Sequence, residues 1–349
     1  MPLRRDRRHG PSRLQRVQFR DDTKLEVLHR FPTEDRRGAA PSGLIAGPRG
    51  VLYGTSAGGG ETWSGTVLEM DPPHEPGARW SYRALYTFTG GADGAGPDGG
   101  LIEGPGSRLY GTTTFGGATG NGTVFLLTPP ESPGRAWNEK VLHHFTRQGG
   151  DGCAPHGTLV FGPRRRLVWH TMSGGIPGQG SGIVFQLTPP ATLRGPWTEK
   201  VLHKFTGATD GANPEADLIL DNAGALYGAT SCSTPDGGLV FKLEPPAMPG
   251  GEWKETILYR FTGLNGGSAC CTGGLLFGQD GALYGTSTLG QDGRGAVFEP
   301  RPPVAPNGQW TETLLSIFTG QSGDGWDVIG GLAAGPDGAF YGATGGGGR

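Results

Sequence analysis

Long apolar runs are missing from this chain of 349 residues, and none reaches the roughly 18 apolar residues that a membrane-spanning helix needs. Segments with a 3.6-residue apolar period are also few, so almost no helix is expected. Cysteine is scarce. Cys153, Cys232, Cys270 and Cys271 are the only four, and none forms a CxxC pair. That excludes the common zinc spacings, and four thiols are too few to scaffold a chain of this length. An excess of one charge is missing too: 30 basic residues stand against 32 acidic ones, for a formal net charge of −2. No broad field for nucleic acid or anionic lipid follows from such a balance. There is no GxSxG elbow, no HExxH and no P-loop, so no familiar catalytic signature is written in the chain. The basic N-terminus, MPLRRDRRHGPSRLQR, is not followed by an apolar h-region. It reads as a solvated, disordered tail over residues 1–15, without a secretion signal.

What the chain has in excess is glycine, 68 residues of it, with 29 prolines, against a usual share of about 7% and about 5%. These residues punctuate short apolar runs at regular places, as turns between many short strands do. The same five letters recur as LYGTS at 52–56, LYGTT at 109–113, LYGAT at 226–230, LYGTS at 283–287 and FYGAT at 340–344. Leu167–Thr171 is a degenerate third copy. Phe31, Phe88, Phe145, Phe205, Phe261 and Phe318 keep steps of 57, 57, 60, 56 and 57 residues. Tryptophans from Trp80 to Trp310 and the valines of GTVF-like segments, Val67 to Val297, follow the same rhythm. A fixed period of this length marks an array of supersecondary units.

Each unit holds four strand candidates. In the fourth they are Asp217–Leu220, Ala225–Thr230, Leu239–Leu243 and Trp253–Phe261, with a tight turn at Asp221–Gly224 between the first two. Four antiparallel strands without a helix form a propeller blade, and blades bury their faces only against one another. The expected fold is therefore an all-β, six-bladed propeller of four-stranded antiparallel blades over residues 16–349, in six repeats of ~57 residues. The last copy has only its first two strands, Gly331–Ala334 and Ala339–Thr344. Closure is expected from Arg16–Arg20 and Lys24–Phe31, which would complete the final sheet and remove its free edges.

The pattern FTGxxDGxxP…GLI…DGxLYGTT…GG…GTVFxLxPP, from about Lys24 to the C-terminus, resembles the GloVer tandem repeat of the choice-of-anchor group of bacterial surface proteins. The resemblance implies a β-propeller in an exported protein, extracellular or at the cell surface. It implies no reaction. The sequence shows neither the signal peptide before the repeats nor the anchor after them that such proteins carry.

In an up-and-down blade alternate connections share a face. The Asp-Gly loops and the Gly-rich loops therefore share one, and loops on a rigid scaffold are where binding usually resides. That face carries Asp93, Asp151, Asp210 and Asp324, each followed by Gly. Such a ring could hold Ca²⁺ or sugar hydroxyls. An Asp that always travels with its Gly is also what a self-capping turn requires, and the turn is the stronger expectation. No dedicated cofactor motif is present. Trp63 and Trp326 each occur once in a face loop and are candidates for ligand stacking. The third unit breaks the symmetry: Val168, Trp169 and His170 replace Tyr, Gly and Thr, and Cys153-Ala154-Pro155-His156 lies on the facing strand. His156 and His170, with Cys153 near them, could bind a ligand or a metal, although such a site usually needs a further placed partner. Cys232 and Cys270 or Cys271 stand in face loops of neighbouring units and could form a disulfide in an exported protein.

The expected function is a non-enzymatic binding or structural module that presents its Asp-Gly and Gly-rich loops to a glycan or protein, as a monomer. The alternative is a propeller-fold polysaccharide hydrolase or lyase using face carboxylates. A charged pocket at the axial mouth would favour the alternative.

Overall fold

A computed structural model of the chain describes Leu28 and residues 41–346, apart from 76–77, 133, 177–179, 193–194, 208, 232–236, 249, 262–272, 279–280, 289–293, 306–307, 322–324, 329 and 336–337. Strands run antiparallel to their sequence neighbours in sheets labelled here as blades 1 to 5, with strands a to d in chain order. Blade 1 is Pro41–Ala46, Leu52–Ser56, Thr66–Asp71 and Ser81–Thr87. Blade 2 is Ile102–Gly104, Arg108–Thr113, Thr123–Thr128 and Asn138–His144. Blade 3 splits its strand a into Gly152–Pro155 and Val160–Phe161, followed by Leu167–Gly174, Ile183–Thr188 and Thr198–Lys204. Blade 4 is Ile219–Leu220, Leu226–Ala229, Leu239–Glu244 and Lys254–Arg260. Blade 5 is Leu276–Phe277, Leu283–Ser287, Ala296–Arg301 and Thr311–Ile317. The helical content of the described residues is two three-residue 3₁₀ turns, Pro48–Gly50 and Pro163–Arg165, each inside an a-to-b turn.

The fold is an all-β propeller with five four-stranded blades, and this corrects the expectation of six. After blade 5 the chain forms two separate two-stranded pairings, Trp326–Val328 with Thr344–Gly346 and Ala333–Ala334 with Phe340–Tyr341. The reason for the difference is simple. Phe and LYG markers count copies of a sequence, whereas a blade is counted by four hydrogen-bonded strands. The expected closing strands at 16–20 and 24–31 lie outside the described residues but for Leu28, as does the tail at 1–15.

The core sits in the seams between blades. The phenylalanine that follows strand d of one blade meets the phenylalanine on strand c of the next, edge to face. Ring centroids are 5.1 Å apart for Phe88 and Phe125, 5.1 Å for Phe145 and Phe185, 5.2 Å for Phe205 and Phe241, and 5.1 Å for Phe261 and Phe298. All eight are fully buried or nearly so. The glycine of LYGTT is the space for this ring: a Cβ on Gly111 would stand 2.6 Å from Phe125 Cζ. The repeating tryptophan of one blade reaches the LYG tyrosine of the blade before it, as in Tyr53 with Trp137 and Tyr110 with Trp197. One irregularity recurs in all five blades. Strand d carries one extra residue opposite the Val–Phe (or Val–Leu) step of strand c, for example Leu142 opposite Val124/Phe125. Such bulges increase local twist and re-aim the next side chain. The residue re-aimed here is Tyr86, His143, His203, Tyr259 or Ser316.

Candidate functional site at the axial mouth

The loops from strand d to the next strand a are folded by their own side chains. Thr89 donates to Asp93 through both its backbone N–H, 2.8 Å, and its hydroxyl, 2.6 Å. Thr146 does the same to Asp151, and Thr206 to Asp210. Asp93, Asp151 and Asp210 are thus each engaged within their own turn. Asp324 lies outside the described residues. On each loop's outer flank stand side chains of two successive blades. At the first seam Tyr86 donates to Asp93, 3.2 Å, with Glu139 of blade 2 beside them. At the second and third seams His143 and His203 take the place of Tyr86. His143 Nε2 is 3.6 Å from Asp151 Oδ1 and 3.9 Å from Glu199 Oε2. His203 Nε2 is 3.9 Å from Asp210 Oδ2 and 3.8 Å from Glu255 Oε1.

The inner end of the same loops differs from blade to blade. Counting back three residues from Leu44, Leu101, Leu159, Leu218, Leu275 and Leu332 gives Pro41, Asp98, His156, Glu215, Thr272 and Ile329. Three successive repeats thus place a titratable side chain in one column. In the structure His156 Nε2 lies 3.6 Å from Asp98 Oδ2, and both are partly exposed. Thr114 donates to Asp98 Oδ1, 2.8 Å, and fixes that carboxylate from the b-to-c loop of blade 2. Glu215 accepts from Ser231 and lies within electrostatic reach of His156. Burial holds its carboxyl above the usual range, and the Ser231 bond and His156 oppose the shift. Deeper on the axis Asp217 accepts from the backbone N–H of Thr158, and burial raises it as well. Asp217 also lines a cavity of about 240 Å³ with Thr158, Ile219, Gly274, Leu276 and Leu332.

His170 and Cys153 do not join this mouth as accessible groups. Strand b of blade 3 pairs Thr171 with Pro155 and Val168 with Val160, so the register shifts where Gly157 lies, and a Cβ there would stand 3.5 Å from His170 Cε1. His170 is fully buried and stacks on Trp169 at 5.3 Å, with the planes 5° apart. Burial, reinforced by His156, pushes its pKa down to about 3, so it stays neutral. Cys153 is a buried free thiol, raised by burial. Cys232, Cys270 and Cys271 lie outside the described residues. Trp63 is 49% exposed and Trp326 46%. Trp63 sits in the b-to-c loop of blade 1 at positive φ, next to Ser64, whose carbonyl accepts from Gly96 N. Across the same d-to-a loop Phe115 bridges Ala95 and is 60% exposed.

The Gloeobacter/Verrucomicrobia repeat matches this sequence over residues 16–231 and again over 170–349. The chain belongs to that repeat family. Among solved structures a glucose dehydrogenase superposes with TM-score 0.50 at 17% identity, over 88% of this chain and 93% of its own. A second glucose dehydrogenase superposes with TM-score 0.53 at 16% identity, over 88% and 94%. A Trypanosoma rangeli sialidase reaches TM-score 0.45 at 12% identity, over 81% of this chain and 49% of its own. At these identities the likeness to the two glucose dehydrogenases is one of fold. Comparison with curated proteins gave no match. Among the described residues no helix is long and apolar enough to cross a membrane.

Against the Gloeobacter/Verrucomicrobia repeat, the mouth is where this member's copies differ from one another. Asp98, Glu215 and Phe115 were not singled out in the sequence. Phe115 was open to the same test as Trp63, since it occurs once at its place in the face loops, where other copies have Gly58, Ser173, Cys232 and Leu289. The column Asp98, His156, Glu215 emerges only when repeats are aligned on the leucine of strand a rather than on the Asp-Gly pair.

Glu139 supports a pH prediction. Burial, then Asp93, raises its pKa to about 7 from 4.5. The folded state therefore holds a proton that the unfolded state has lost between those two values. Stability contributed by the protonated carboxyl falls as pH rises through this window and is fully lost above pH 7. Glu139→Gln should raise the unfolding free energy by on the order of 1 kcal/mol at pH 8, after discounting for solvent screening. Urea titrations should show no difference from wild type at pH 4. An equal gain at both pH values would assign the effect to packing instead.

Proposed function

We propose that this repeat protein is a non-enzymatic glycan-binding module acting outside a bacterial cell, with the ligand seated at the axial mouth on the loop face. The observation that carries the reading is the break in symmetry there. Asp98, His156 and Glu215, from three successive repeats, converge on a scaffold whose other copies are nearly interchangeable. Carboxylates and an imidazole accept and donate to hydroxyls. The exposed rings of Trp63 and Phe115 flank the Asp93–Asp98 loop and offer faces on which a pyranose can stack. His170 is fully buried, so it presents neither ring nitrogen to a ligand at the mouth. The family places the chain with bacterial repeat proteins, which supports a site outside the cell.

A glycan array followed by calorimetry on the best hit tests the reading. Asp98→Asn, His156→Ala and Phe115→Ala should each weaken binding about tenfold or more, with an unchanged melting temperature. Incubation with the bound glycan should release no new reducing ends. One observation favours a second reading, a polysaccharide hydrolase or lyase: Glu215 is raised by burial and could donate a proton. Turnover that disappears in Glu215→Gln while binding persists would select that reading over the first.

A further inference from the structure

The second and third seams differ from their neighbours in one side chain, and the consequence is chemical. At the first seam Tyr86 hydroxyl reaches Asp93 at 3.2 Å, and at the fourth Tyr259 hydroxyl reaches Glu312 at 2.9 Å. A phenol at this position makes a direct hydrogen bond. His143 and His203 occupy the same place, each edge-on to the phenylalanine two residues on, as Tyr86 and Tyr259 are. Yet their Nε2 atoms stand 3.6–3.9 Å from two carboxylates each. That is too long for hydrogen bonds. Both Nε2 atoms are buried without a hydrogen-bond partner, whereas an unpartnered Oε1 is common to the glutamates of all four seams, Glu139, Glu199, Glu255 and Glu312.

We infer that each of these seams is a binding site for a divalent transition-metal ion, Zn²⁺ foremost, held by His143, Asp151 and Glu199 at one and by His203, Asp210 and Glu255 at the other. In both triads the ligating atoms all lie within 4.8 Å of one another. Bonds of about 2.0–2.1 Å in a tetrahedron separate neighbouring ligand atoms by roughly 3.4 Å, so the carboxylates, now 3.6–3.9 Å from each imidazole, would close inward by a few tenths of an ångström around an ion. One imidazole and two carboxylates suit a zinc-like ion with a fourth, water-filled position. Calcium, which takes six to eight oxygens, is poorly served by two carboxylates. The aspartate of each triad is held in place by the backbone N–H and hydroxyl of Thr146 or Thr206, the kind of outer support that orients a ligand. Each ion would take ligands from two successive blades and join them, so the ions act as staples of the ring, apart from the axial mouth. Among the described residues these two triads are the places where three such side chains meet.

The test uses the full chain, stripped with chelator and titrated with Zn²⁺ by calorimetry and with Co²⁺ by absorption. Two equivalents should bind, and the melting temperature should rise with metal. His143→Tyr and His203→Tyr introduce the residue that the flanking seams already accommodate, so folding should survive. Each should remove one equivalent, and the double variant both, with loss of the Co²⁺ visible bands. Glu199→Gln should also remove one equivalent. Failure of the stripped protein to bind either metal at micromolar concentration would overturn the inference. So would a double variant that is folded by circular dichroism and still binds two equivalents. Asp98→Asn should leave the stoichiometry at two, and a loss there would move the ion to the mouth and equally overturn it.

Discussion

Replacing Phe125 by alanine should cost about 3–5 kcal/mol of stability, among the largest effects of any single substitution in this chain. Its ring is fully buried, packs edge to face on Phe88 of blade 1 and fills the space above Gly111 of its own blade. Truncation therefore opens a cavity in a seam with rigid strands on both sides, which limits collapse. Phe125 belongs to one cluster with Tyr53, Val67, Leu101 and Leu109, so the lost contacts span blades 1 and 2. Equilibrium urea unfolding would measure the cost. A double-mutant cycle with Phe88→Ala should return a coupling of about 0.5–1.5 kcal/mol for the ring pair. In an array of nearest-neighbour interfaces the seam is the cooperative bond between units. The variant should accordingly broaden the transition as well as shift it. A cost below about 1 kcal/mol would mean that the seam relaxes around the missing ring, and the aromatic ladder would not be what joins the blades.

That ladder explains what was legible in the sequence. Period, strands and turns could be read because the blades repeat one local solution: phenylalanine on c (Leu68 in blade 1), glycine beneath it on b (Trp169 in blade 3), phenylalanine after d. A repeated unit announces its packing residues by recurrence. Recurrence also misled the count. Six phenylalanines and six LYG-like segments suggested six blades, but the copy that ends in FYGAT contributes two short pairings and not a four-stranded sheet. The axial mouth was hidden for the opposite reason. Asp98 and Glu215 share a column with His156 but not a residue type, so nothing recurs to draw attention to them, and His156 alone stood out through the broken symmetry of its unit. The seam triads were hidden in plain repetition. Glu139, Glu199, Glu255 and Glu312 recur at the second residue of strand d and look like solvated surface charge. Their meaning depends on contact with the previous blade, and no spacing within a repeat reports on that.

The glycine before each VF pair should prove as demanding as the rings. Gly182→Ala should cost about 2–4 kcal/mol, the sum of left-handed strain and overpacking. Gly182 has φ 92°, and its carbonyl accepts from Phe205 N at 3.1 Å. A Cβ there would press on the carbonyl oxygen of Thr171 and stand 2.7 Å from Cδ of Pro214, which enters blade 4. The equivalent Gly122 has φ 99° and meets Pro155 Cδ of blade 3 at the same 2.7 Å. A single methyl at either place therefore strains its own backbone and pushes on the loop leading to the next blade. Gly134, with φ 84° and open space within 4 Å of where a Cβ would stand, separates the two causes. Gly134→Ala should show the strain alone, about 1 kcal/mol. Hydrogen exchange supplies the local readout: the Phe205 amide should lose protection in Gly182→Ala and keep it in Gly134→Ala. If both variants lose equal stability and the Phe205 amide is unmoved, the glycine is preserving only a backbone angle. If the difference appears, close approach between successive blades dictates it, and the motif GTVF is a statement about the neighbouring blade as much as about its own.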